Sequence, residues 1–160
     1  MSDTRISGVR GRRVWDSRGR PTVEVDVTLK GGAFGRAIAP AGASMGSGEA
    51  VDLRDGGVKL GGYDVGRAVS AVNGEIAAVL AGKDAADQAS IDQAMIVLDG
   101  TANKGRLGGN AIVATSMAVL HAAAAASGIP LWQYLAQGRK VRIPLPEIQI
   151  FGGGAHAARR

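Results

Sequence analysis

The chain has 160 residues, 46% of them hydrophobic and 4% aromatic, which suits one domain with a core of small side chains, or one domain and a piece of another. The absence of cysteine excludes disulfides, thiolate metal sites and a cysteine nucleophile. A net charge of +5 suits an anionic small molecule or an acidic partner surface; nucleic acid is not expected, because the cluster Arg5, Arg10, Arg12, Arg13, Arg18 and Arg20 is accompanied only by Trp15 and forms no nucleic-acid module.

The first residues, MSDTRISGVRGRRV, lack the apolar run of a secretory signal, and no window reads as long and apolar enough to cross a membrane. The expectation is a cytoplasmic protein with no membrane partner. The segments RISGVRGRRVWD and TVEVDVTLK read as strands. The second alternates, with Val23, Val25, Val27 and Leu29 on one face and Glu24, Asp26, Thr28 and Lys30 on the other. A tight turn at Gly31-Gly32 leads to a third strand over 33–39. This is an antiparallel meander with one buried face.

The period then changes to that of helices. Val65, Val69, Val72, Ile76 and Val79 fall near helical spacing, with Gly82 as the stop. Ile91, Met95 and Leu98 form the stripe of a second helix that ends before Gly100. A third begins at Asn110, read as its N-cap, and stops at Gly128 with Pro130 just beyond. LWQYLA is a short last helix. Strands first and helices after predict an α+β domain over 1–137. Beyond it, Ile143, Leu145, Ile148 and Ile150 form an apolar, strand-like run that Pro144 and Pro146 interrupt. A lone strand cannot bury itself, so 141–160 reads as the start of a second domain.

Between the meander and the helices lies APAGASMGSGEA, almost free of side chains. By composition alone this is a flexible turn. Its neighbours point elsewhere. DSRGRPTVEVDV, PAGASMGSGEAVDLRD, LDGTANKGRLGGNAIVATSMA, IPLWQYL and IPLPEIQIFGGGAHA stand in an order and at spacings that resemble the N-terminal part of enolases.

The resemblance implies a magnesium-dependent hydro-lyase of glycolysis, a homodimer or larger ring in the cytoplasm, that reversibly dehydrates 2-phosphoglycerate to phosphoenolpyruvate. A proton leaves the carbon beside a carboxylate, hydroxide leaves the next carbon, and two Mg2+ ions stabilise the charge that develops. Most metal ligands and the base are implied to lie in a C-terminal β/α barrel, for which about 250 residues are needed. Residues 1–160 alone are therefore expected to be inactive. AGASMG is then the active-site loop, with Ala43 offering its backbone to substrate and Ser44 giving hard oxygen to the second Mg2+. His156, in the loop after the first barrel strand, is the implied catalytic and substrate-contacting side chain. His121 takes no chemical role, and Asp16, Arg18, Glu49, Asp52 and Asp55 are read as braces of turns and of the barrel contact. The chain departs from the family's usual pattern at Met45, Glu147, Gln149 and Gly152. Two alternatives therefore stand beside the first: a non-catalytic binding or dimerisation module of enolase origin, and a diverged enzyme acting on another 2-hydroxy acid.

Overall fold

The computed structural model of the chain describes residues 3–42, 46–148 and 150. Three antiparallel strands come first: β1 (Ile6–Trp15), β2 (Pro21–Leu29) and β3 (Phe34–Ile38), in the order β1-β2-β3. The alternation in β2 sets the register. Val23, Val25, Val27 and Leu29 are all buried, while Glu24 and Asp26 turn to the opposite face. On that outer face Asp26 is held between Arg12 Nη1 and Arg36 Nε, both at 2.6 Å. Arg12 also pairs with Glu24. Glycine at Gly32, with φ +85°, makes the β2–β3 turn without strain.

A continuous helical stretch follows, built as α1 (Gly66–Ala71), a π-helical turn (Val72–Ile76) and α2 (Ala77–Leu80). Val65, Ala68, Val72, Ile76 and Leu80 are buried, whereas Val69 and Val79 only border the core. The fully buried stripe thus includes Ala68 and Leu80, which the apolar spacing did not pick out. At the π turn Asn73 reaches the free edge of β1: its Oδ1 accepts from Gly11 N–H at 2.8 Å, and its Nδ2 donates to Gly11 O at 3.0 Å.

Helix α3 (Gln88–Asp99) buries Ile91 and Met95 and ends at Gly100 in the left-handed region. Asp87 caps it by accepting from Ser90 N–H. Helix α4 (Gly109–Ala126) lies on the sheet through Ala111, Ala114, Ala118 and Ala122, all buried. Small residues let it approach so closely that a Cβ on Gly35 would lie 2.1 Å from Ala118 O and 2.3 Å from Ala122 N. Helix α5 (Leu131–Ala136) starts after Pro130.

Three expectations need correction. Asn110 does not cap α4. The cap position is Gly108, and Asn110 stands inside the first turn with its amide committed to another segment. One helix, Gly109–Ala126, is after all long and apolar enough to cross a membrane by length and composition. Its alanines raise the hydropathy, and 61% of it is buried within the fold, as in the core helix of a globular domain. Finally, residues 141–148 form no strand, and Ile143, Leu145 and Ile148 are exposed. With no neighbouring strand, their backbone groups have no ladder to join.

Candidate functional site

The small-residue stretch leaves the sheet at Ala39 and rejoins the helical layer at Ala50. Its incoming arm is fixed to the meander. Ala39 N–H donates to Val23 O at 3.1 Å, Thr22 Oγ1 donates to Ala39 O at 2.5 Å, and Arg18 Nη2 donates to Ala41 O. Arg18 is presented by the turn after β1. There Asp16 Oδ1 accepts from the backbone N–H groups of Arg20 and Arg18 at 2.8 and 2.9 Å. Those bonds, Arg20 N–H first, hold the Asp16 carboxyl below its ordinary range against the opposing effect of desolvation.

The outgoing arm is fixed to the helices. Val51 N–H donates to Asn103 O at 2.8 Å and Gly109 N–H donates to Val51 O at 2.7 Å. Leu53 N–H donates to Asn110 Oδ1 at 3.3 Å, and Asn110 Nδ2 donates to Leu53 O at 3.1 Å. Between the arms, Glu49 Oε1 accepts from Gly46 N–H at 2.8 Å and closes a tight turn. Asp55 accepts from Gly66 and Arg67 N–H, both at 2.9 Å, and so satisfies the start of α1.

Two adjoining clefts flank these arms. One, of about 400 Å³, is lined by residues that include Ile38, Pro40, Gly42, Asp52, Asn110 and Met117. The other, of about 340 Å³, is lined by Arg20, Arg54 and Tyr63 together with Ala41, Gly42, Glu49, Ala50 and Asp52. The guanidinium of Arg20 lies 4.9 Å from the Tyr63 ring centroid. Arg54 is held by Asp52 Oδ2 at 2.8 Å, by Tyr63 O at 2.9 Å and by Pro21 O. The other Asp52 oxygen, Oδ1, is buried without a hydrogen-bond partner among the described residues.

Ala43, Ser44 and His156 lie outside the described residues, as do Met45, Gln149 and Gly152. The structure therefore brings together the arms on either side of Ala43 and Ser44. Among the described residues no group of three or more His, Cys, Asp or Glu side chains could hold a metal ion. Glu49 and Asp52, the two carboxylates on the clefts, are engaged by Gly46 N–H and Arg54. This part of the chain does not fit a magnesium cage. His121 is half-buried on α4, as the sequence suggests. Asp16, Glu49 and Asp55 brace local turns and a helix start, whereas Asn110, Asn103 and Arg54 are contributors that the sequence did not single out as such. For Asn110 the signal was the pair of glycines before it, which lets an arm lie directly on backbone.

An antiparallel three-stranded meander followed by helices, with an irregular segment strung between them over two clefts, defines an α+β domain. The model of the enolase N-terminal domain matches residues 6–135. The chain belongs to the enolase N-terminal domain family.

Proposed function

We propose that this chain is the capping part of an enolase that interconverts 2-phosphoglycerate and phosphoenolpyruvate once a β/α barrel is joined to it. Family membership over residues 6–135 carries this reading. The two clefts along the arms of the 40–50 segment support it, because a small anionic substrate needs concave walls. In this reading the backbone of Ala43 meets the substrate and Ser44 supplies oxygen to the second of two magnesium ions. His156 contacts the substrate near its phosphate and its leaving hydroxyl. The magnesium ions, held mainly by the barrel, supply charge stabilisation at the substrate carboxylate. The chain's own described residues hold both arms of the segment in place and wall the substrate from one side. Residues 141–160 are proposed to begin the barrel, and the assembly to be a cytoplasmic homo-oligomer.

The test uses a protein in which the chain continues into an enolase barrel, purified free of host enolase. Dehydration of 2-phosphoglycerate should be seen with magnesium and lost with a chelator. Ser44→Ala should lower kcat about ten- to a thousand-fold, the range for removing one preorganised stabilising group. It should leave the thermal midpoint unchanged and weaken the second magnesium site in a calorimetric titration. Wild-type kcat with an unchanged titration would reduce the segment to a linker. A barrel-bearing protein that folds, binds magnesium and ignores 2-phosphoglycerate would favour the diverged enzyme.

A further inference from the structure

Resting on that reading of function, we propose that Asn110 is a positioning residue of the dehydration site, acting through residues 51–53 and not by touching substrate. Asn110 is only 6% exposed and stands in the first turn of α4, where its Oδ1 accepts from Ala111 N–H at 3.1 Å, yet the rest of its bonding goes to another segment. Its amide takes both backbone groups of Leu53, which is itself 7% exposed. A side-chain amide carries N–H donors beside a C=O acceptor, so one edge of it can bond a peptide as another peptide does. Asn110 therefore supplies one rung of a ladder to an arm that has no neighbouring strand.

The surroundings leave the arm little freedom except through this contact. A Cβ on Gly108 would lie 2.6 Å from Leu53 Cβ, and one on Gly109 would lie 2.8 Å from Ala50 Cβ. The arm thus lies against bare backbone, fixed at Val51 by Asn103 and Gly109 and at Leu53 by Asn110. The incoming arm is fixed by a different layer, through Val23, Thr22 and Arg18. The outgoing arm is thus held to the helical layer at Val51 and Leu53 and to the sheet by the Arg54–Pro21 bond, and Asn110 is the side chain of the helical clamp. Asn110 also lines the larger cleft with Pro40, Gly42, Glu49 and Asp52. Loss of its two bonds leaves Leu53 unheld between Val51 and Arg54 and loosens the arm at the cleft wall beside Asp52. A misplacement of about 1 Å at a reacting centre can cost about a hundredfold in rate.

The first measurement uses the chain as it stands. In Asn110→Ala, hydrogen exchange at 51–53 should speed up at least tenfold (about 1.4 kcal/mol at RT ln 10) relative to Val25 and Val27 of β2. Asn110→Asp is isosteric but can donate to Leu53 O only when protonated, so its protection of 51–53 should recover as pH falls. The second measurement uses the barrel-bearing protein. There kcat per folded molecule should fall at least tenfold in Asn110→Ala, whereas a merely structural residue would lower the thermal midpoint and leave kcat per folded molecule unchanged. If Asn110→Ala does not fold, Asn110→Asp carries both measurements through its pH dependence. Unchanged protection at 51–53, or an unchanged kcat per folded molecule, would overturn the proposal. A wild-type barrel-bearing protein without dehydratase activity would instead overturn the reading of the function, and the exchange result would still decide whether Asn110 holds the arm.

Discussion

Glycine at position 35 shows how much of this fold depends on side chains that are missing. Gly35 stands inside the expected third strand, and a methyl added there would meet the backbone of α4, whereas one on Gly32 of the turn would meet nothing within 4 Å. Backbone cannot rotate away as a flexible side chain can, so Gly35→Ala must push β3 off the helix. The expected loss is about 3 kcal/mol, the upper end for overpacking, seen as a lower urea midpoint. Gly8→Ala has open space around its new methyl and should change stability by about 0.5 kcal/mol or less. Equal losses for the two would refute the packing account. Charge gives a second residue-scale test. The guanidinium of Arg36, then that of Arg12, holds the Asp26 carboxyl down to about 2, although desolvation opposes them. A carboxyl lowered on folding stabilises the fold above its unfolded value of about 3.9, and that share is lost as pH falls through the folded value. Arg13 and Lys59 act in the same sense on Asp64, with Lys59 the larger influence. Stability should therefore fall between about pH 4 and pH 2. Asp26→Asn should be less stable than wild type at neutral pH and flatter through that acid limb. An acid limb as steep as that of wild type would exclude Asp26 as its source.

Elements were legible where a period was simple. The alternation of β2 gave its buried face residue by residue, because a strand covered on one side has a strict period of two. The helix over 66–80 was found, but its π turn was not, since one extra residue in a turn leaves the apolar spacing within the tolerance of an α-helix. The consequence of that turn is specific. It delivers Asn73 to the edge of β1, where Gly11 has no side chain to obstruct Val72. The start of the same edge is covered by main chain, with Ile6 N–H donating to Lys83 O and Gly82 N–H donating to Ile6 O. Asn73 thus covers a further position of an edge that would otherwise offer its Gly11 N–H and C=O groups to another strand. Asn73→Ala leaves the part-buried Gly11 groups unpaired, at a cost of about 1–3 kcal/mol. Hydrogen exchange at Gly11 should rise, while amides of β1 that face β2 keep their protection. Unchanged exchange at Gly11 would mean that water replaces the amide at no cost. Asn110 teaches the complementary lesson. Its place after two glycines and before an apolar run is the sequence signature of a cap, and tertiary demand from Leu53 overrode that local preference.

At the scale of the whole molecule, most of the candidate site was visible as an ordered set of segments and little of it as chemistry. Each segment carries glycines, small residues and backbone contacts, and neither composition nor periodicity says which carbonyl an arginine such as Arg18 or Arg54 will reach. The residues that a reaction would use, Ala43, Ser44 and His156, came only from resemblance. The described domain has its own core, which runs from Ile6 to Ala123 and against which Tyr134 packs. Residues after Lys140 add exposed apolar surface instead, with Ile143 at 96%, Leu145 at 93% and Ile148 at 80%. Trp132 lines a shallow groove with Val141, Arg142, Ile143 and Pro144. Side chains this exposed contribute little to folding, but in solution they form a contiguous apolar run of the kind that draws chains together. A chain ending at Lys140 should therefore keep its thermal midpoint to within about 2 °C, which for a domain of this size corresponds to about 0.5 kcal/mol. It should also scatter less light at high concentration than the 160-residue chain. Replacing Ile143 and Leu145 together by lysine in the 160-residue chain should reproduce the gain in solubility with the same midpoint. A drop of more than about 5 °C on removing 141–160 would show that this segment packs on the domain, and the apolar run would then be part of the domain's own core.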